Sequence, residues 1–108
     1  MAPQDELISE PIVPDARTFD ATAMARGEPG LPTGFTWRDR HYEIAELTRS
    51  WKASEAEGHK RGGERYYRKH FFRVRCRSGE IMTLYALRHM KRGENPRRRW
   101  WLYTIETK

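Results

Sequence analysis

The sequence predicts a mainly β protein: a small antiparallel meander of about five strands, curled into a partly open barrel of the SH3-like or OB-like kind. Three observations point there. Residues 64–76 alternate strictly, with Tyr66, Arg68, His70, Phe72, Val74 and Cys76 on one face and Tyr67, Lys69, Phe71, Arg73 and Arg75 on the other. A Gly-containing turn at 77–80 separates that run from a second alternating run at 81–87. All four Trp and all five Tyr fall after residue 34, which supplies the bulk a small curled sheet needs for a core.

The elements follow in order. Leu7, Ile8, Ile12 and Val13 flank Pro11 and suggest a short edge strand near 7–13, since proline is tolerated at a sheet edge. Residues 15–34 are rich in Pro, Gly and Ala and read as a flexible loop. Phe35-Thr36-Trp37 is aromatic and β-branched, and the polar turn Arg38-Asp39-Arg40 follows it. A long strand runs from His41 to Trp51. Tyr42 and Ile44 share one parity while Ala45, Leu47 and Trp51 share the other, as a bulge would produce. Helix over 43–57 is the rival, because Glu43, Ala45, Glu46, Leu47 and the 53–57 stretch are good helix formers. Residues 52–63 end in Gly62-Gly63 and read as a loop. The return strand carries Ile81, Thr83, Tyr85 and Leu87 on one side and Met82, Leu84 and Ala86 on the other. A wider loop with Gly93 and Pro96 leads to the last strand, in which Trp101, Tyr103 and Ile105 alternate with Trp100, Leu102 and Thr104.

Charge divides the chain in two. Its 108 residues carry +6 overall, yet residues 1–34 are net −4 and residues 35–108 net +10. Five of the six Pro lie in the first part. The expected organisation is an extended acidic N-terminal arm, 1–34, and a folded barrel-like body, 35–108. The arm either solubilises the chain or screens a basic face of the body.

Several classes are set aside on composition. No run approaches the roughly 20 apolar residues of a membrane helix. The acidic start, Met1-Ala2-Pro3-Gln4-Asp5-Glu6, is not a secretory signal, and the single Cys76 cannot close an internal disulfide, so a cytoplasmic protein is expected. His41, His59, His70 and His89 have no metal-ligand spacing, and no second Cys accompanies them. No paired carboxylates, nucleophile signature or phosphate-binding Gly-rich loop is present, so neither an enzyme nor a cofactor is expected. Cys76, six residues beyond His70, continues the alternation of Phe72 and Val74 and reads as a buried small apolar residue rather than a nucleophile.

Trp37-Arg38-Asp39-Arg40-His41-Tyr42-Glu43-Ile44-Ala45-Glu46-Leu47 resembles the hairpin opening of a family of small bacterial proteins catalogued only as a domain of unknown function. Glu10-Pro11-Ile12, Trp51, Phe72-Arg73-Val74-Arg75, Gly79, Leu84-Tyr85 and Trp100-Trp101-Leu102-Tyr103 fit the rest of that pattern in order. A related domain stands at the C-terminus of inactive Y-family polymerase-like mutagenesis proteins. The resemblance therefore implies an accessory module near DNA repair or damage tolerance, and it assigns no catalytic residues.

The strongest functional signal is a basic–aromatic face. Lys69, Arg73, Arg75 and Arg77 alternate along one side of a predicted strand with Phe71 among them. Side chains on one face repeat about every 6.5–7 Å, close to the phosphate spacing of a single strand. Cations neutralise phosphates and rings stack on bases. The rival is a solvated arginine face over a second aromatic cluster. The run Arg97-Arg98-Arg99 offers further backbone contacts. Trp100 and Trp101 point to opposite faces, so one belongs to the core and the other is an interaction candidate. The expected function is a non-enzymatic module that binds nucleic-acid backbone. The alternative is a protein-interaction module that uses exposed aromatics on a polymerase-like or other repair protein.

Overall fold

The structure, a computed structural model, describes residues 4–26, 29–56, 66–87 and 99–107, with backbone alone at 54–56 and 66–68. Seven strands and one short helix are found there: β1 (Gln4–Pro11), β2 (Val13–Pro14), α1 (Ala21–Ala25), β3 (Gly34–Trp37), β4 (Arg40–Ala56), β5 (Tyr66–Cys76), β6 (Ile81–Leu87) and β7 (Trp100–Thr107). They form one antiparallel sheet in the order β1-β7-β6-β5-β4-β3-β2, curled into a half-barrel.

Seven strands stand where about five are expected, and the difference lies in the arm. β1 pairs with the last strand, while β2 pairs with β3 at the opposite edge. Only Ile12 separates these two edge strands. Its amide donates to the Trp100 carbonyl at 3.0 Å, and its side chain is 2% exposed. The chain therefore crosses from one edge of the sheet to the other within a few residues, which brings the two edges together at that end. Pro11 sits at the end of an edge strand, where its missing N–H removes no central ladder bond.

β4 decides between strand and helix. It pairs with β5 as far as Ala56↔Tyr66, so extended structure continues five residues past Trp51 into the expected loop. Cross-strand pairing outweighs the helix propensity of its Glu and Ala residues. Register shifts between Ile44 and Glu46 and between Leu47 and Arg49 mark two bulges. The first puts Leu47 on the same face as Ile44, as the parity switch suggests, but the second resets the phase, so Trp51 faces Phe71 on the opposite side from Leu47 rather than sharing its face. Two bulges this close bend the strand strongly and help the sheet to curl. At the β3–β4 turn, Arg38 and Asp39 both have positive φ, 50° and 62°, as a two-residue type I′ turn demands.

Phe35, Tyr42, Phe72, Val74, Met82, Leu84, Trp100 and Leu102 form the core on the inner face. Burying side chains of this size contributes about 1.5–3 kcal/mol each. Phe19 and Leu31, from the segment expected to be a loop, pack against that core. The segment includes α1, whose Asp20 cap accepts from the amides of Thr22 and Ala23. Glu10 ties the arm to the β3–β4 turn: its Oε1 accepts from Trp37 Nε1 at 2.8 Å, and Arg38 forks onto both oxygens at 2.9 and 2.7 Å.

Candidate functional site

The outer face of the sheet carries a row of rings across four strands. Trp51 on β4 faces Phe71 on β5, Phe71 faces Tyr85 on β6, and Tyr85 faces Trp101 on β7. Residues directly opposite in a ladder share a face, so the sheet itself sets this row. Trp51 and Phe71 stack at 5.3 Å with 5° between planes, and Tyr85 and Trp101 at 6.0 Å with 2°. Tyr103, displaced by the irregular pairing of β7, meets Phe71 edge-on at 5.4 Å and Tyr85 at 6.1 Å. Phe71 and Tyr85 are buried, Trp51 and Trp101 are half-buried, and Tyr103 is 38% exposed.

Two cations lie over this row. The Arg49 guanidinium carbon is 4.7 Å from the Trp51 ring centre, and Lys69 Nζ is 4.8 Å from that of Tyr85. Both distances fall within cation–π range.

The expected strand arginines stand differently. Arg73 reaches across β6 to Glu106 on β7 at 2.7 Å, to Asp5 on β1 at 3.3 Å and to Thr83 Oγ1 at 3.1 Å. Arg75 pairs with Glu46 at 3.1 Å, and Arg77 with Glu43 at 3.2 Å. Each of the three therefore has a carboxylate partner on another strand, which offsets much of the positive field at that end. The outer face divides into a cationic–aromatic end and an ion-paired end.

The remaining sequence candidates scatter. Arg97 and Arg98 lie outside the described residues. The half-buried Arg99 donates through Nε to the Leu87 carbonyl at 2.7 Å. Trp100 is 5% exposed and belongs to the core, stacked on Phe72, whereas its neighbour Trp101 joins the outer row. Sequence reasoning missed Arg49, Trp51, Tyr85 and Tyr103 as members of one patch. Their odd-numbered parity was visible on β6 and β7, but the bulges in β4 hide the phase of Arg49 and Trp51.

Cys76 is fully buried on the inner face, 3.9 Å from the Met82 sulfur, and burial pushes its thiol up to about 11, assisted by the nearby charge of Glu80. That environment keeps the thiol protonated and inert at neutral pH. His70 lies farther along the strand and bonds to Ser50 rather than to Cys76. Among the described residues, no group of three or more His, Cys, Asp or Glu side chains is placed to hold a metal ion, and no helix is long and apolar enough to cross a membrane.

No curated protein and no solved structure matches the chain. The family model of DUF6504, a domain of unknown function, matches residues 1–107 and so takes in the arm, the hairpin and the row of rings alike. The chain belongs to the DUF6504 family.

Proposed function

We propose that the outer face binds single-stranded nucleic acid, with bases against Trp101, Tyr103 and Trp51 and with Arg49 and Lys69 serving the backbone. The observation that carries this reading is the four-strand row of rings with two cations directly over it. A sheet presenting aromatics beside cations is a common way to hold unstacked bases. Arg73, Arg75 and Arg77, committed to carboxylates, contribute less than their number suggests. The proposed role is non-enzymatic, and an accessory part in DNA repair or damage tolerance belongs to the same proposal.

Fluorescence anisotropy with a labelled oligothymidine and with a duplex, each at low and moderate salt, tests it. Expected is micromolar or weaker binding that prefers the single strand. With two or three neutralised phosphates, log affinity falls with log salt at a slope of about −1.4 to −2. Absence of binding at low salt removes the proposal. The ion pairs at the far end favour a second reading, in which the same rings dock a protein partner. That reading predicts a salt-tolerant complex, lost on Trp101→Ala and retained on Arg49→Gln.

A further inference from the structure

β1 is an outermost strand of the sheet, and among the described residues it pairs on one side only, with β7. In an antiparallel edge strand every second residue turns its N–H and C=O away from the sheet, toward a further strand. Proteins blunt such edges with bulges and prolines. In β1 the register shift between Leu7 and Glu10, with Ser9 at a φ of 55°, and Pro11 interrupt only the second half of the strand. Residues 4–7 keep a regular register, from Gln4↔Thr107 to Leu7↔Thr104, and all four are exposed. Leu7 stands 65% exposed on the outer face, opposite Thr104. Glu6, opposite Ile105, belongs to the other face of the same rim. Asp5, Glu6 and Glu106 set three carboxylates against the single guanidinium of Arg73, so this end of the rim stays negative once its ion pairs are counted.

We propose that residues 4–7 of β1 accept an extended basic segment of another protein as an added strand. Its apolar side chains lie beside Leu7 and its basic ones on the Glu6 side. Main-chain bonds to the open edge supply affinity, and the alternation of side chains supplies selectivity. A second copy of this chain is the poorer occupant, because pairing two acidic rims sets like charges against each other. The stretch pairs with residues 104–107 of β7, beyond Trp101 and Tyr103, so this surface stands or falls independently of nucleic-acid binding.

Three probes added to the full chain and followed by ¹H–¹⁵N spectra test the proposal: the capped peptide Lys-Val-Lys-Val-Lys, its counterpart Glu-Val-Glu-Val-Glu, and spermine. The basic peptide is expected to shift the amides of Asp5, Glu6 and Leu7 saturably, at millimolar concentration. The acidic peptide is a strand of the wrong charge, and spermine carries charge without a strand. Each is expected to bind at least about fivefold more weakly. Glu6→Lys, at an exposed position, is expected to weaken the basic peptide by a similar factor and to strengthen the acidic one. Either control matching the basic peptide, no effect of Glu6→Lys, or no saturable shift at these amides would overturn it. So would concentration-dependent shifts of the same amides in the protein alone, which would give the edge to a second copy.

Discussion

Arg49 and Arg73 are direct cross-strand partners on β4 and β5, yet their guanidinium groups turn apart. Arg49 lies over Trp51 at 4.7 Å, while Arg73 extends the other way to Glu106 at 2.7 Å. Like charges directly opposite repel, and the two aromatic and acidic neighbourhoods draw them to opposite ends of the face. One arginine is therefore structural and the other is available to a ligand. Arg73→Gln should cost about 1–2 kcal/mol of stability, since it strands the partly buried Glu106, and should leave oligonucleotide affinity nearly intact. Arg49→Gln should stay within about 1 kcal/mol of the parent in stability and weaken binding roughly three- to tenfold. Urea denaturation and anisotropy on the same two variants separate the roles.

The clamp at Glu10 predicts a pH dependence. The Arg38 hydrogen bond, then that of Trp37, holds the Glu10 carboxyl below its ordinary value. A depressed folded-state pKa adds stability above the unfolded value of about 4.3, and that stability is lost as pH falls through the folded value. Glu80 is lowered too, chiefly by the Ser78 hydroxyl, so the parent curve alone mixes several groups. The difference in urea midpoint between the parent and Glu10→Gln isolates the clamp. It should be constant at pH 5 and above and shrink below about pH 4.

Cys76 should resist thiol reagents in the native protein. Its thiol is raised to about 11 by burial, whereas an unfolded cysteine titrates near 8.5. The raised value contributes stability that is complete below about 8.5 and fades as pH rises toward 11. At pH 8 a disulfide reagent should leave Cys76 untouched in buffer and modify it fully in urea.

Gly34 marks a close approach that admits no side chain. A methyl group there would meet the Tyr42 carbonyl oxygen at 2.8 Å and Asp15 Oδ2 at 2.6 Å. The carbonyl belongs to the β3–β4 ladder and cannot yield, and Asp15 is held by the His41 ring at 2.8 Å. Gly34→Ala should lose about 1–3 kcal/mol in thermal or urea denaturation.

The sequence made some of this legible and hid the rest for physical reasons. The two faces of β5 can be read directly because strict alternation is local. The turn at Arg38-Asp39 and the bulged β4 also leave local traces, in turn polarity and in parity. The fate of Arg73 could not be read, because its carboxylates lie 33 and 68 positions away in sequence and meet it only through the sheet order. Ile12 as the link between the two sheet edges was hidden for the same reason. The ring row needed the phase of β4, which two bulges reset between Ile44 and Arg49.

The four tryptophans report directly on whether nucleic acid binds the outer face. Trp51 and Trp101 lie in the outer row, whereas Trp37 is bound to Glu10 and Trp100 is in the core. Each gives one indole N–H signal in a ¹H–¹⁵N spectrum. On titration with oligothymidine, the Trp51 and Trp101 signals are expected to shift and saturate while those of Trp37 and Trp100 stay in place. Four unmoved signals, or movement of the inner pair alone, would contradict it.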